Sequence, residues 1–359
     1  MTSEADVPFL ALLVHRGHLD RGQAEVLLPE LKLGRALDRL LVDRFGWTPD
    51  RVARLRRTRA GEIPEIPGYE IQGKLGSGGT ADVFRAREKK TGRILALKVL
   101  KEECARNKAT LAAFVSEARL LEKLKHPGLV ECFGVARSGE TYFSKLECIE
   151  GSTLLEMLDL GQPFSEDAAL RAVLAAAEVL AYLAGENVVH RDVKPGNLML
   201  AHDGRIKLID LGFAGTPDAA RNRQDRAVGT VAYLSPEQAQ GGAAADPRSD
   251  VYSLGVTLFH LVVGRLPFES SDDQEILRMQ VMQSLSSPEL KSRGLSPHLH
   301  YFVEKMMAKQ ADLRYQSWGE LLEDIRGQIR GREQLDFDRD GGGETTASTN
   351  RPPRKRRRF

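Results

Sequence analysis

The segment Val189-His190-Arg191-Asp192-Val193-Lys194-Pro195-Gly196-Asn197-Leu198 places an acid, an amide and several basic side chains close together in this chain of 359 residues. A second acid follows eighteen positions after Asp192, in Ile209-Asp210-Leu211-Gly212. Ser235-Pro236-Glu237 and Ser249-Asp250-Val251-Tyr252-Ser253-Leu254-Gly255 come next, in that order. Each motif is short, so it is their order as a set that decides the fold.

Upstream, a glycine-rich turn lies between two strand-like stretches, YEIQGKL and ADVFRAR. A turn between two strands argues against a dinucleotide fold and against a P-loop, in which a strand leads into a helix. Bare glycine backbone can approach a triphosphate closely and offer N–H donors. The candidate phosphate-binding residues of this turn are Leu75, Gly76, Ser77, Gly78, Gly79, Thr80, Ala81, Asp82 and Val83.

Fifteen positions after Val83, Lys98 ends the alternating strand Leu95-Ala96-Leu97-Lys98. Together with the glycine turn and Lys98, the motifs resemble the eukaryotic-type (Hanks-type) protein serine/threonine kinase family. Their sequences are closest to those of its bacterial members. The resemblance covers residues 69–330. It implies an α+β, bilobal kinase-like fold, with a small β-rich lobe, a large helical lobe and a cleft between them.

The resemblance also implies the ligands, ATP and Mg²⁺, and the roles of the loop residues. Asp192 would be the catalytic base and Lys194 would steady the γ-phosphate; lysine at that spacing is typical of the Ser/Thr members. Asn197 and Asp210 would coordinate Mg²⁺, a hard cation that prefers oxygen ligands. Leu211 replaces the phenylalanine of the family's D-F-G motif.

In the small lobe, Lys98 would hold the α- and β-phosphates and be oriented by Glu117, which fits the family's lone helix there. Ala81 replaces the third glycine of the turn, which adds a methyl group where the backbone nears phosphate. The adenine pocket would include Ala96, Glu147 and Ile149, with Leu146 controlling access and Cys148 an inert thiol near its mouth.

Other matching positions are interpreted as structural or regulatory. Glu237 and Arg314 resemble a buried ion pair, and Asp250 would brace the catalytic loop. In many relatives the arginine that corresponds to Arg191 pairs with a phosphothreonine of the activation segment.

Between Leu211 and Leu234, the Ser/Thr acceptors are Thr216 and Thr230, and neither is well placed for that pairing. The loop carries Asp225 instead. One hypothesis is that this permanent carboxylate pairs with the catalytic-loop arginine without phosphorylation. The alternative is a solvated acid in a polar loop.

Outside the kinase-like region, residues 1–60 have a helical pattern with a weak internal repeat, and predict a small all-α module. The module is similar to the helical N-terminal modules of some bacterial secretion ATPases, some of which bind cyclic dinucleotides; a docking or spacer role is the alternative. Residues 61–68 predict an extended linker, and residues 339–359 a disordered basic tail.

The formal net charge of +2 does not indicate a nucleic-acid or membrane binder as a whole, although six of the last nine residues are Arg or Lys. That tail could contact nucleic acid, an acidic partner or an anionic membrane, or remain solvated. The three cysteines occur singly, which favours reduced thiols in a cytoplasm. Val251–Val263 reads as a core helix, and no signal peptide or integral membrane segment is expected.

The expected partners are protein substrates and the kinase itself. Two other readings stay open from the sequence. A pseudokinase scaffold would act by binding only, but such proteins usually lose the lysine, the base or the metal-binding acid, all present here. A small-molecule kinase of related fold generally lacks the activation segment that ends here in Ser235-Pro236-Glu237.

Overall fold

The structure is a computed structural model that describes residues 6–15, 18–59, 63–161, 163–211, 230–241, 246–285 and 295–340. The chain divides into two compact units. The first unit comprises residues 1–125 and 130–150, and the second comprises residues 126–129 and 151–359. Each unit contains some of the residues singled out from the sequence.

Four short helices open the first unit: α1 (Asp6–His15), α2 (Arg21–Lys32), α3 (Leu37–Phe45) and α4 (Pro49–Arg59). Asp20 and Gln23 form a capping box at the start of α2, and Gly46 ends α3 in the left-handed conformation. Their buried side chains form a common core, which includes Phe9, Leu13, Leu27, Leu31, Leu37 and Leu41. The predicted all-α module is present.

Arg56 holds three helices of this module together. Its guanidinium binds the buried Asp6 of α1 at 2.5 Å and Asp38 of α3 at 2.7 Å. Burial alone would lower the pKa of Arg56, but the hydrogen bonds to both carboxylates raise it. The ion pairs therefore keep a partly buried cation charged.

The segment after α4 is bound to the sheet of the first unit. Ile63 and Ile66 are buried in the same core cluster as Ile71, Phe84 and Leu97, which belong to that sheet. In addition, the His18 ring nitrogen Nε2 lies 2.8 Å from the Glu65 carboxylate, which connects the helical module to this segment. Its proline- and glycine-rich composition did not indicate that packing.

Replacing Ile66 by alanine should therefore destabilise the first unit. Ile66 is only 1% exposed, so the change removes buried methyl groups and leaves a cavity. We expect a loss of about 2–5 kcal/mol in the free energy of unfolding, measured by chemical denaturation. The matched control is Leu33→Ala, at a side chain that is 82% exposed, which should cost far less. Equal losses in the two variants would contradict the packing described for Ile66.

The sheet of the first unit has five antiparallel strands in the order β1-β2-β3-β5-β4. They are β1 (Tyr69–Ser77), β2 (Ala81–Glu88), β3 (Ile94–Leu100), β4 (Cys132–Ser138) and β5 (Thr141–Glu147). Two helices lie between β3 and β4: α5 (Glu102–Ala105) and α6 (Lys108–Lys123). Asn107 caps the start of α6 by accepting from two backbone N–H groups. This is the predicted β-rich lobe.

The second unit is mostly helical. Among its described residues the helices are α7 (Leu154–Asp159), α8 (Glu166–Gly185), α9 (Pro236–Ala239), α10 (Pro247–Val263), α11 (Asp273–Met282), α12 (Pro297–Met306) and α13 (Trp318–Asp340). A small antiparallel sheet joins β6 (Gly151–Thr153), β7 (Leu198–Ala201) and β8 (Ile206–Leu208). Short 3₁₀ turns cover Pro195–Asn197, Thr230–Tyr233 and Ala311–Leu313. The α+β class and the two-part kinase-like organisation are thus confirmed.

Helix α10 forms the centre of this unit. Nearly every residue from Ser249 to Val263 is buried, in agreement with its interpretation as a core helix. A Cβ atom on Gly255 would lie 2.7 Å from the Met306 side chain, so the absence of a side chain allows α12 to pack closely there. The helix begins at a cap provided by Asp246 and ends at the left-handed Gly264.

Helix α8 is the one helix in the described part of the chain that is long and apolar enough to cross a membrane. Half of that apolar stretch is buried inside the protein, and the helix packs against α10 and α13. Core helices of globular proteins also meet this criterion. The last helix, α13, continues to Asp340, and residues 341–359, most of the predicted tail, lie outside the described residues.

Candidate active site

The glycine turn is the hairpin between β1 and β2. The Gly78 N–H donates to the Ala81 carbonyl at 2.8 Å, and a Cβ atom on Gly78 would approach that oxygen to 3.3 Å. Asp82 steadies the base of the hairpin, since its carboxylate accepts from the Ser77 hydroxyl at 2.6 Å and binds Lys74 at 3.0 Å. Burial raises the pKa of Asp82, but these contacts outweigh it and lower the pKa overall.

The methyl group of Ala81 points into the protein. Ala81 is 4% exposed and shares a buried cluster with Leu100 and Phe114. Gly76 and Gly79 have open space where a side chain would stand. Ala81, which replaces the family's third glycine, therefore places its methyl group in the core of the first unit. The outer surface of the turn keeps the open positions at Gly76 and Gly79.

Lys98 and Glu117 form an ion pair in the first unit. Lys98 lies on the central strand β3, Glu117 lies on α6, and their nitrogen and oxygen are 2.8 Å apart. Both side chains are mostly buried, at 16% and 19% exposure. The contact orients the lysine and explains why a cation is tolerated in this position. The structure thus brings together the two residues paired from the sequence.

The residues predicted to form the adenine pocket lie on β3 and at the end of β5. Ala96 on β3 lies opposite Leu146, and both are buried. The Glu147 N–H donates to the Glu131 carbonyl at 2.8 Å, and the Glu147 carboxylate accepts from the Glu131 N–H at 3.2 Å. This reciprocal pair of bonds ends the sheet, and Ile149 lies just beyond it, partly buried.

Cys148 lies in the same stretch, 3.6 Å from a guanidinium nitrogen of Arg85. Burial raises the pKa of the Cys148 thiol, and the nearby arginine offsets only part of that effect. A thiol with a raised pKa is a poor nucleophile. The geometry therefore favours the prediction that Cys148 is inert.

In the second unit, the catalytic-loop backbone turns sharply at Arg191, where φ is 69°. This conformation is unfavourable for a residue with a side chain. The buried Asp250 of α10 stabilises it, because its carboxylate accepts from the N–H groups of His190 at 2.8 Å and Arg191 at 2.7 Å. Burial raises the pKa of Asp250 above its ordinary value, despite these bonds. The predicted bracing residue is therefore in contact with the loop.

Asp192 is held from two sides. The Lys194 ammonium lies 2.8 Å from one carboxylate oxygen and 3.0 Å from the other. The Asn197 side-chain amide donates to the Asp192 carbonyl at 2.7 Å and to its carboxylate at 3.1 Å. Asp192 is 8% exposed. The arrangement presents one oriented carboxylate beside a cation.

His190 links the main chain at Asp192 to the main chain at Asp210, a role not recognised from the sequence. Its Nε2 donates to the Asp210 main-chain carbonyl at 2.6 Å, and its Nδ1 accepts from the Asp192 N–H at 3.2 Å. The ring is fully buried, so both bonds are shielded from water. A histidine within the loop motif was the available signal, but spacing alone does not reveal its partners.

Asn197 and Asp210 come from adjacent backbone segments, since the Ile209 N–H donates to the Asn197 carbonyl at 3.0 Å. The Asn197 amide nitrogen is used by Asp192, which leaves its side-chain oxygen as the possible ligand. A carboxylate and an amide oxygen are the donors that Mg²⁺ prefers. The residues present therefore fit the predicted magnesium ligands.

Glu237, which is partly exposed, and the buried Arg314 form a bidentate ion pair, with both nitrogen–oxygen distances at 2.8 Å. The Arg314 side chain is fully buried, and Ser249 also donates to Glu237 at 2.7 Å. Burial alone would raise the pKa of Glu237, but the bonds from Arg314 and Ser249 lower it to about 2. This matches the structural role predicted for the pair.

The Glu237→Gln variant should lose stability, because Arg314 would remain buried without its counter-charge. We expect a loss of about 3–5 kcal/mol at neutral pH. Because the folded-state pKa lies below the unfolded value, the wild type should lose this contribution between the ordinary pKa of 4.5 and about 2. Urea titrations at several pH values test both points. A variant as stable as the wild type at pH 7 would contradict the assignment.

The activation segment is described only in part. Thr216 and Asp225 lie outside the described residues, and Thr230 begins the 3₁₀ turn Thr230–Tyr233, with its side chain outside the description. The segment after it is tied to the catalytic loop, since the Gln238 side-chain amide donates to the Arg191 carbonyl at 3.2 Å. No sequence signal indicated this bond.

An antiparallel five-stranded sheet with an ion-paired lysine, and a helical unit with a braced acid-and-amide loop, define the protein kinase class of fold. Residues 69–324 match the sequence model of the protein kinase domain, and the chain belongs to that family. The match spans the strands, the ion pair and the loop described above.

Three curated relatives to which the chain is similar come from bacteria. The chain is 33% identical over 274 residues to a protein of Streptomyces coelicolor named a probable serine/threonine-protein kinase, covering 74% of this chain and 40% of the relative. It is 32% identical over 264 residues to the serine/threonine-protein kinase PknB of Mycobacterium tuberculosis, covering 72% and 42%. For the serine/threonine-protein kinase PrkC of Bacillus subtilis the identity is 30% over 259 residues, covering 72% and 40%. The chain thus spans about two-fifths of their length.

Proposed function

We propose that this protein is a serine/threonine kinase that transfers the γ-phosphoryl group of ATP to hydroxyl groups of protein substrates and of itself. The carrying observation is the Asp192 carboxylate, held at hydrogen-bond distance by both Lys194 and Asn197. The names of the relatives, all serine/threonine-protein kinases, support the same activity.

In the proposed mechanism, the oxygen of the substrate hydroxyl bonds to the γ-phosphorus while the bond between that phosphorus and the ADP oxygen breaks. Asp192 accepts the proton of the same hydroxyl. Lys194 lies beside the same carboxylate and would stabilise negative charge on the transferring group. Because the transition state is loose, positioning and charge stabilisation supply most of the rate gain. The contacts of Asn197 and Asp250 keep this loop in place before the substrate arrives.

Lys98 would bind the α- and β-phosphates, with Glu117 fixing the direction of its ammonium. The open positions at Gly76 and Gly79 would let the backbone of the turn lie close to the phosphates. Asn197 and Asp210 would hold Mg²⁺, which would neutralise phosphate charge when bound. The remaining predicted residues, Ala96, Glu147 and Ile149, would contact the adenine.

A pseudokinase scaffold remains the alternative, and a transfer assay separates the two. The purified chain is incubated with labelled ATP, Mg²⁺ and myelin basic protein as a generic basic substrate. Label on serine or threonine of either protein is the expected result. Nucleotide binding without any transfer would overturn the proposal and favour the scaffold. Transfer to a small molecule alone would favour the other alternative, a small-molecule kinase of related fold.

The proposed regulation concerns Asp225, whose carboxylate would pair with Arg191 in place of a phosphothreonine. Phosphatase-treated enzyme should then keep substantial activity, and Asp225→Ala should lose most of it. The measurement is the transfer rate before and after phosphatase treatment. An inert dephosphorylated wild type, together with normal activity of phosphorylated Asp225→Ala, would assign the switch to Thr216 or Thr230.

The physiological setting rests on the sequence alone. Cytoplasmic location, the disorder of the basic tail and its contact with nucleic acid, an acidic partner or a membrane all stay predictions. Ligand binding by the helical module and its docking role also remain open. The four-helix core shows a folded module, which either role requires.

A further inference from the structure

Arg85 is a residue of β2 that has no part in the function proposed above. In the sheet of the first unit it lies directly opposite Ala96 of β3, and Val83 lies directly opposite Lys98. Residues that are paired across two strands, and residues two apart along one strand, point to the same face of a sheet. Arg85 is therefore on the face that carries Ala96 and Lys98, whereas its neighbour Phe84 belongs to the core on the other face.

The guanidinium of Arg85 contacts three other side chains of the first unit. Its Nε donates to the side-chain oxygen of Gln72 on β1 at 3.1 Å. Its Nη1 and Nη2 both donate to one carboxylate oxygen of Glu150, at 3.2 Å each, and Nη1 lies 3.6 Å from the Cys148 sulfur. The Arg85 side chain is 34% exposed, so most of it is covered. One planar cation thus connects β1 and β2 to the segment that follows β5.

The two residues that Arg85 contacts after β5 flank Ile149, which was predicted to contact the adenine. Ile149 is partly buried and lies two positions after the end of β5. Among the described residues, neither the Ile149 N–H nor its carbonyl pairs with another backbone group. Main-chain donors and acceptors of this kind are among the few polar groups that orient a ligand in a pocket. Arg85 therefore holds, from both sides, the backbone that would meet the base.

A segment that lies outside the strands must be ordered before it can hold a ligand, and that ordering reduces the binding free energy. We propose that Arg85 is a positioning residue for the nucleotide, since its bonds to Cys148 and Glu150 order the Ile149 backbone before the base arrives. The inference rests on the nucleotide binding proposed above and adds a residue that sets its affinity. Because Glu150 is 64% exposed, water screens the ion pair and its effect on affinity is modest.

The test replaces Arg85 by methionine in the full chain, which removes the charge and keeps an unbranched side chain on β2. We expect the Kd for ADP with Mg²⁺, measured by calorimetry, and the KM for ATP to rise about three- to fivefold. The kcat and the KM for myelin basic protein should stay within about twofold, because the residues that carry the chemistry are unchanged. Arg85→Lys, which keeps the charge, should recover most of the affinity. The double variant Arg85→Glu/Glu150→Arg, which exchanges the charges, should bind ADP more tightly than either of its single variants.

The matched control is Arg87→Met, at an exposed arginine two positions further along β2, which should leave every parameter unchanged. An unchanged Kd for ADP in Arg85→Met would overturn the inference. A parallel loss of kcat and of affinity for the protein substrate would show a general structural role and overturn it too. So would a double variant that binds ADP no better than its single variants. A wild type that binds no ADP would instead refute the proposed function, and the inference with it.

Discussion

Replacing Asp192 by asparagine should reduce phosphoryl transfer by at least about 100-fold, the usual contribution of a positioned general base. The amide has nearly the same shape as the carboxylate, so the bonds from Lys194 and Asn197 can be kept in part. It cannot accept the proton of the substrate hydroxyl. The loss should therefore fall on the transfer rate, measured with labelled ATP and myelin basic protein.

ATP binding should persist in the Asp192→Asn variant, and a thermal shift with ATP and Mg²⁺ measures it separately. The matched control is Asp203→Asn, an exposed acid in the turn between β7 and β8 that pairs with Arg205. It should be as active as the wild type. Undiminished turnover in Asp192→Asn would end the mechanism proposed here.

Replacing Lys98 by methionine should also abolish measurable transfer. The side chain keeps its length and its packing on β3, but it loses the charge that would hold the α- and β-phosphates. It also leaves Glu117, at 19% exposure, without the ammonium that lies 2.8 Å away. We expect a fall in transfer of at least about 100-fold, from misplaced phosphates and lost charge stabilisation.

Lys90→Met is the control for this change, because Lys90 is an exposed lysine in the turn between β2 and β3. Circular dichroism and thermal unfolding should show that both variants are folded. Glu117→Gln, which keeps Lys98 but weakens its orientation, should lie between Lys98→Met and the wild type. If Lys98→Met transferred phosphate at the normal rate, Lys98 would have no part in phosphate binding.

Much of the site could be predicted because its residues lie in short motifs. Asp192, Lys194 and Asn197 are within six positions of each other, and the structure shows them in direct contact. Lys98 and Glu117 are nineteen positions apart, on β3 and on the second of the two helices that follow it, and the structure shows them in contact. The resemblance of these motifs to the kinase family thus predicted both the fold class and these contacts.

Other features depend on side-chain direction. Alternation along β2 places the Ala81 methyl group in the core, whereas the motif alone suggested a position near phosphate. Ile63 and Ile66 lie in a stretch whose prolines and glycines indicated a linker. In the structure both side chains pack against apolar residues of the sheet. Composition describes what a segment can do alone, and neighbours supplied by the rest of the chain decide where it packs.

The sequence by itself determined the family, the order of a β-rich and a helical part, and the identity of the residues that do the proposed chemistry. Only the tertiary structure decided how that chemistry is supported: Asp250 bracing Arg191, 59 positions away, and His190 linking the main chain at Asp192 to the main chain at Asp210. The reason is physical. Each of these bonds satisfies a buried polar group, and which groups are buried together depends on how helices far apart in sequence pack.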